Sequence, residues 1–338
     1  MEDRESIKKL YIDKIKTLNK HNKLYYLEDK PIITDKNYDE LKKIILDLEN
    51  QTPQAVFGEL MFPAEFDSSK KYPLIIGNAG SLNWAEHHLK YLEMYRQLGF
   101  ATFQLRSFDS RGVASTVGDQ VEVTVAMVIL DSYRALELLS KHPNIDAENV
   151  GITGWSLGGG VALYSAWMPL VKAINGGAYQ FAAHLPIYPP CFVYPVTEES
   201  MEFTAAPIHI LAGGADNWVP AVSCSELIDQ LKANNIPVDM EITIYENAHH
   251  SFDKTNVPLT VRENGYTLGD CRFPMNEDGT IYYSENIKLS INQPWKQKLA
   301  LATCAGRGPT MGTNEEARQQ AFAYSAWFFT NHLMKNLD

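Results

Sequence analysis

One short run constrains this chain more than any other: Val150-Gly151-Ile152-Thr153-Gly154-Trp155-Ser156-Leu157-Gly158-Gly159-Gly160. Val150–Trp155 reads as a strand. It meets a serine set between Gly154 and Gly158 in the pattern G-x-S-x-G, after which a helix is predicted to about Ala173. A strand that turns into a helix within one residue needs small neighbours, because strand and helix pass each other closely. The serine on such a turn has a strained backbone, and its hydroxyl is lifted above the sheet. The helix N-terminus beside it favours negative charge. The run therefore predicts a nucleophile at Ser156, with the backbone N–H of Leu157 aimed at a developing oxyanion.

The rest of the chain from Val56 alternates strand and helix. Val56–Phe62, Pro73–Asn78, Ala101–Leu105, Phe181–Tyr188, Pro207–Gly213 and Met240–Tyr245 read as strands. Glu86–Leu98, Asp119–Lys141, Ala221–Asn234 and Glu315–Leu337 read as helices, and residues 253–313 as an irregular stretch. Such alternation implies an α/β fold, with a mostly parallel sheet covered on both faces. Catalytic groups then collect at the C-terminal ends of the strands.

A serine hydroxyl is a weak nucleophile until a base removes its proton. Two later strand ends supply candidates. Pro207–Leu211 leads into Gly213-Gly214-Ala215-Asp216-Asn217-Trp218, and Met240–Tyr245 leads into Asn247-Ala248-His249-His250-Ser251-Phe252-Asp253. The serine–acid–histidine chain order fits Asp216 as orienter and one of His249 or His250 as base. No metal site is expected: no third ligand joins the histidine pair at suitable spacing, and H-E-x-x-H is absent.

Composition excludes other classes. The net charge of −11 argues against a nucleic-acid partner. No apolar run is long enough to cross a bilayer, so no membrane partner is expected. Residues 1–50 hold 11 Lys+Arg and 11 Asp+Glu, whereas the remaining 288 hold 19 and 30. That shift predicts a boundary near Asn50–Pro53, dividing a segment 1–52, read as a helical hairpin, from a domain 53–338. The charged start Met1-Glu2-Asp3-Arg4-Glu5 leads into no apolar segment, which favours a cytoplasmic location. A cytosolic reading leaves Cys191, Cys224, Cys271 and Cys304 as thiols; a secreted one makes one or two disulfides, and spacing does not choose. Oligomeric state is not legible.

With GWSLGGG, GGADNWVP, YENAHHSFD and Phe108-Asp109-Ser110-Arg111-Gly112-Val113 in view, the chain over about residues 55–335 resembles the dienelactone hydrolase family. The resemblance implies an α/β-hydrolase fold and cofactor-free hydrolysis of carboxylic esters or lactones through Ser156, Asp216 and a histidine. Family members carry histidine, a small residue and phenylalanine, here His250-Ser251-Phe252, which selects His250. Many relatives carry His-Gly after the first core strand, where this chain has Ala79-Gly80. The second oxyanion donor is then Ser81, with Gly80 as the alternative. Trp155, Trp218, Trp84 and Phe108 are candidates for an apolar acyl pocket, Arg111 for holding a substrate carboxylate, and His249 for a further substrate contact. Similar sequences often pair cysteines before the last helix, which suggests Cys271–Cys304.

Residues 1–50 resemble a different family, the N-terminal segment of bacterial NAD-dependent DNA ligases. Tyr25, Tyr26, Asp35, Tyr38 and Asp39 match by position the residues that hold nicotinamide mononucleotide there. The adenylation motif K-x-D-G is absent, which excludes ligation. The competing functions are a serine peptidase or amidase on the same fold, and a non-catalytic protein that senses a nucleotide.

Overall fold

The structure is a computed structural model that describes residues 54–117, 122–196, 201–263, 265–277, 279–287, 289–291 and 293–334. The chain divides into two compact units, Met1–Ala55 and Val56–Asp338. The hairpin expected over residues 1–52 lies outside the described residues, and so do Tyr25, Tyr26, Asp35, Tyr38 and Asp39.

The second unit is built on seven strands: β1 Gly58–Met61, β2 Tyr72–Asn78, β3 Ala101–Leu105, β4 Ile145–Trp155, β5 Ala183–Ile187, β7 Ile208–Gly213 and β8 Met240–Tyr245; β6 is Val193–Pro195, outside this sheet. They pair in the order β1-β3-β2-β4-β5-β7-β8. Only β1 is antiparallel, against β3. Burial explains the arrangement: β2, β5 and β7 are buried along their whole length, as strands covered on both faces must be.

The covering helices are α1 Glu86–Gln97, α2 Val125–Leu139, α3 Leu157–Tyr164, α4 Met168–Asn175, α5 Ala221–Ala233 and, later in the chain, α7 Glu315–Leu333. Leu136, Ile152, Val161 and Ile210 are among the residues buried on one side of the sheet; Ile75, Tyr91, Leu185 and Phe329 are buried on the other. Within α7, Ala317, Ala321, Ser325, Phe328, Phe329 and Leu333 form the buried stripe. Among the described residues, no helix is long and apolar enough to cross a membrane.

Three expectations change. The helix read from Asp119 starts at Val125, because the Thr124 side chain accepts the Met127 N–H and caps it there. The helix read from Leu157 to Ala173 is two helices. Pro169 near the start of α4 has no N–H to give the Ser165 carbonyl, and the Tyr133 hydroxyl donates to that carbonyl instead. The stretch 253–313 contains a helix, α6 Pro294–Cys304, and short strands. Among these, Phe273–Met275 runs parallel to β6, and Thr260–Val261 pairs with Thr310–Met311. Two disulfides, Cys191–Cys224 and Cys271–Cys304, leave no free cysteine among the described residues.

Candidate active site

The parallel strands bring three loops to one end of the sheet. The first is the turn between β4 and α3. Ser156 sits there at φ 57°, ψ −114°, a backbone state that L-residues rarely hold. Glycine makes this turn possible on both sides. A Cβ at Gly154 would lie 2.2 Å from the Gly158 carbonyl oxygen, and one at Gly158 would lie 2.2 Å from the Asn78 carbonyl oxygen. The strand end, the helix start and β2 are therefore in backbone contact. Asn78 ties the same corner through its side chain, donating to the Thr153 carbonyl and accepting from the Ser132 hydroxyl.

The second and third loops are joined to each other. Gly214 N–H donates to the Tyr245 carbonyl and Ala215 N–H to the Ala248 carbonyl, so the loop after β7 lies along the loop after β8. This brings Asp216 and His250 together, at 4% and 3% exposure. Asp216 Oδ2 is 2.7 Å from His250 Nδ1, and His250 Nε2 is 3.1 Å from Ser156 Oγ. Asp216 Oδ1 accepts the N–H groups of Trp218 and Val219 at 2.8 and 3.0 Å, which fixes the carboxylate plane. The His250 ring packs between Trp218, at 4.9 Å, and Tyr188, at 4.8 Å.

His249 faces elsewhere. Its Nδ1 is 2.8 Å from the Thr310 hydroxyl, and that hydroxyl donates to the Asn217 side chain. It braces the rim of the site and does not reach Ser156. Leu157 opens α3, so its N–H is one of the four that a helix start leaves without an intrahelical acceptor. Gly80 packs against the elbow: a Cβ there would be 3.1 Å from the Trp155 carbonyl oxygen. Ser81 follows it, and its carbonyl accepts the Thr116 N–H.

Of the other residues expected to meet substrate, Trp155 and Trp218 line the space around Ser156, whereas Arg111, Trp84 and Phe108 do not. Arg111 grips Asp131 with two hydrogen bonds, 2.7 and 3.0 Å, at 9% and 7% side-chain exposure. A planar fork held in this way is a structural ion pair, which corrects the carboxylate-binding expectation. Trp155 is fully buried beneath the site with its ring stacked on His88 at 4.4 Å, and Phe108 is a core residue. Trp84 gives its indole N–H to the Leu105 carbonyl and packs edge-on to Trp155. Trp218 does line the space beside Ser156.

Sequence reasoning missed a buried polar group behind His250. Tyr188 donates to Asp253 Oδ1 at 2.9 Å, and His87 Nε2 lies 3.6 Å from the same oxygen. Burial pushes the His87 pKa below its usual value, with the Asp253 charge opposing. Burial and then the Asp253 charge hold the Tyr188 hydroxyl far above its usual range. Tyr188 itself has φ 38°, a second strained backbone at this strand end. The motif around Asp253 was visible in the sequence, but its partners lie 65 and 166 residues away.

A family model described as the dienelactone hydrolase family matches residues 94–267, just over half of the chain. A second, the DNA ligase-like N-terminal NAD+-binding domain, matches residues 4–59. A DNA ligase of Psychrobacter arcticus is 33% identical over 78 residues, covering 20% of this chain and 11% of the ligase. A probable 2-oxo-3-(5-oxofuran-2-ylidene)propanoate lactonase of a Bradyrhizobium species is 28% identical over 127 residues, 37% of this chain and 48% of that protein. The chain thus spans less than half the length of these curated relatives. Among solved structures, a putative dienelactone hydrolase of Klebsiella pneumoniae subsp. pneumoniae gives a TM-score of 0.51 at 16% identity, covering 82% of this chain and 99% of that one. A dienelactone hydrolase-like promiscuous phosphotriesterase from metagenomic libraries gives 0.52 at 14% identity, covering 83% and 94%. These structural likenesses show a shared fold, and the family match over half of the chain goes further: the protein belongs to the dienelactone hydrolase family.

Proposed function

We propose that the protein hydrolyses carboxylic esters or lactones through Ser156, His250 and Asp216 by way of an acyl-enzyme. The observation that carries this reading is the unbroken hydrogen-bonded line from Asp216 through His250 to a serine on a strained strand–helix turn.

The chemistry follows from the geometry. His250 Nε2 takes the Ser156 proton as Oγ bonds to the ester carbonyl carbon. The carbonyl oxygen becomes an oxyanion, held by the Leu157 N–H and by a donor from the Ser81 loop. As the tetrahedral centre collapses, the C–O bond to the alcohol breaks and His250 gives its proton to the leaving oxygen. Water then attacks the acyl carbon, losing a proton to His250, which returns it to Ser156 Oγ as the acid departs. Asp216 accepts from Nδ1 throughout, so that Nε2 is the basic nitrogen.

The test is labelling with a fluorophosphonate followed by peptide mapping. Label on Ser156, lost in His250→Ala and retained in His249→Ala, is the expected outcome. Label elsewhere would overturn the assignment. Comparing matched ester and anilide substrates separates an esterase from an amidase on the same triad.

Residues 4–59 support a second reading by their family match alone. We propose that this segment binds the nicotinamide mononucleotide half of NAD, with no part in ester hydrolysis. Calorimetric titration of the full chain with nicotinamide mononucleotide tests it, and Tyr25→Ala should abolish the heat. Pairing of all four cysteines supports work in an oxidising compartment, against the cytoplasmic expectation. Alkylation of the unreduced protein in its native cells, showing four blocked thiols, is the corresponding measurement.

A further inference from the structure

Ser156 stands at the meeting point of two pockets that differ in size and in the ionisable groups that line them. The larger has a volume of about 340 Å3 and runs from Ser156 and Leu157 between Ile129, Phe192, Met275 and Ile281. Among the described residues, no acidic or basic side chain lines it. The Tyr164 hydroxyl at its wall is already committed to the Val193 carbonyl. Arg111, the one cation expected to meet a substrate carboxylate, is bound to Asp131 and is not among the lining residues.

The smaller pocket, about 40 Å3, opens on the other side of Ser156 and is lined by His250, Asn83, His87 and Lys254. A volume of this size holds roughly one or two waters, or a group no larger than a short alcohol.

The two pockets are not interchangeable in the reaction. His250 must reach the leaving oxygen to protonate it, and His250 lines the small pocket and not the large one. Leu157, proposed above as an oxyanion donor, lines the large pocket and not the small one, while the Ser81 loop lines both. The leaving alcohol therefore belongs on the small side, where His250 stands, and the acyl chain on the large apolar side.

Resting on the triad reading above, we infer that the preferred substrates are esters of a long, uncharged, apolar acyl group with a small alcohol. A terminal carboxylate on the acyl chain would lie in the apolar pocket with no cation to meet it, and its desolvation would weaken binding.

The experiment is a pH-stat comparison of methyl acetate, methyl octanoate, octyl acetate and the monomethyl ester of an eight-carbon diacid. Six added methylenes, each favoured on burial, should raise kcat/KM for methyl octanoate over methyl acetate by about 100-fold or more. Methyl octanoate should exceed octyl acetate by about 10-fold, because reversing the ester puts the chain on the small side. The terminal carboxylate should lower kcat/KM about 10-fold or more. Ala126 lines the large pocket and is exposed, so Ala126→Trp should shrink the octanoate-to-acetate ratio. A flat acyl-length profile, octyl acetate as the better substrate, or an unchanged ratio in Ala126→Trp overturns the pocket assignment while leaving the nucleophile in place. Hydrolysis that survives Ser156→Ala overturns the triad reading itself.

Discussion

Asp216→Asn is the substitution whose outcome the geometry constrains most. The two carboxylate oxygens of Asp216 are not equivalent: Oδ1 accepts two backbone N–H groups, while Oδ2 faces His250 Nδ1 at 2.7 Å. An asparagine must place its carbonyl oxygen at the first position, since its amide N–H2 cannot face two donors. The N–H2 group then points at His250 Nδ1, so the imidazole must accept there and carry its proton on Nε2. In that tautomer Nε2 donates toward Ser156 Oγ and cannot take its proton. The same tautomer logic in a serine protease lowers kcat about 10⁴-fold, which corresponds to about 5 kcal/mol of transition-state stabilisation. We expect a loss of that order in ester hydrolysis and a comparable slowing of fluorophosphonate labelling. The thermal midpoint should stay within a few degrees, because the backbone hydrogen bonds survive. A folded Asp216→Asn protein retaining more than about one-hundredth of the activity would refute the assignment of Asp216 as orienter.

Three other outcomes follow from the same structure. Gly158→Ala drives a Cβ into the Asn78 carbonyl at 2.2 Å and should cost about 1–3 kcal/mol by urea unfolding, with loss of labelling at Ser156; a stable, active variant would show that the corner yields. Arg111→Ala leaves Asp131 unpaired and nearly buried, and should destabilise by about 3–5 kcal/mol while leaving KM within about twofold in protein that remains folded; a selective rise in KM for anionic esters would restore a binding role. His184 is fully buried, and burial lowers its pKa from 6.5 to about 4, with a hydrogen bond to the Ala162 carbonyl opposing. Between those values the unfolded chain binds more protons than the folded one, so stability rises with pH. The contribution is complete above about pH 6.5 and is lost as pH falls toward 4. At pH 4.5 the loss is about 2–3 kcal/mol. The stability gap between wild type and His184→Leu should narrow by that amount between pH 7.5 and 4.5, and a constant gap would exclude the linkage.

Legibility varied with how local the determining physics is. Ala101–Leu105 and Met240–Tyr245 appear in the structure at the bounds read from sequence, because β-branched and aromatic residues recur in each short segment. The elbow at Ser156 was legible because glycine spacing records a close backbone approach directly. Asp216 and His250 could be proposed from strand ends and chain order, but choosing His250 over His249 required a family resemblance. Nothing local says which of two adjacent loop side chains turns inward. The helix Pro294–Cys304 was not read, since Trp295 and Leu299 are exposed and its apolar residues make no single stripe. The Arg111–Asp131 pair and the Tyr188–Asp253–His87 group were illegible for another reason. Their members come from different elements and meet only after the sheet has assembled.

The crowded corner around Ser156 also bears on how such a site can change over evolutionary time. Backbone atoms of β2, Ala79 and α3 fill the places where side chains at Gly154 and Gly158 would stand, so those positions are closed to variation. The Ser156 side chain, by contrast, projects into the space between two pockets. The fold has separated the device that holds a nucleophile from the atom that serves as one. A lineage built on this corner can exchange the reacting atom, or reshape either pocket, by single substitutions without rebuilding the turn. It cannot take the reverse route, keeping the serine while relaxing the glycines, without losing the platform on which every such variant depends.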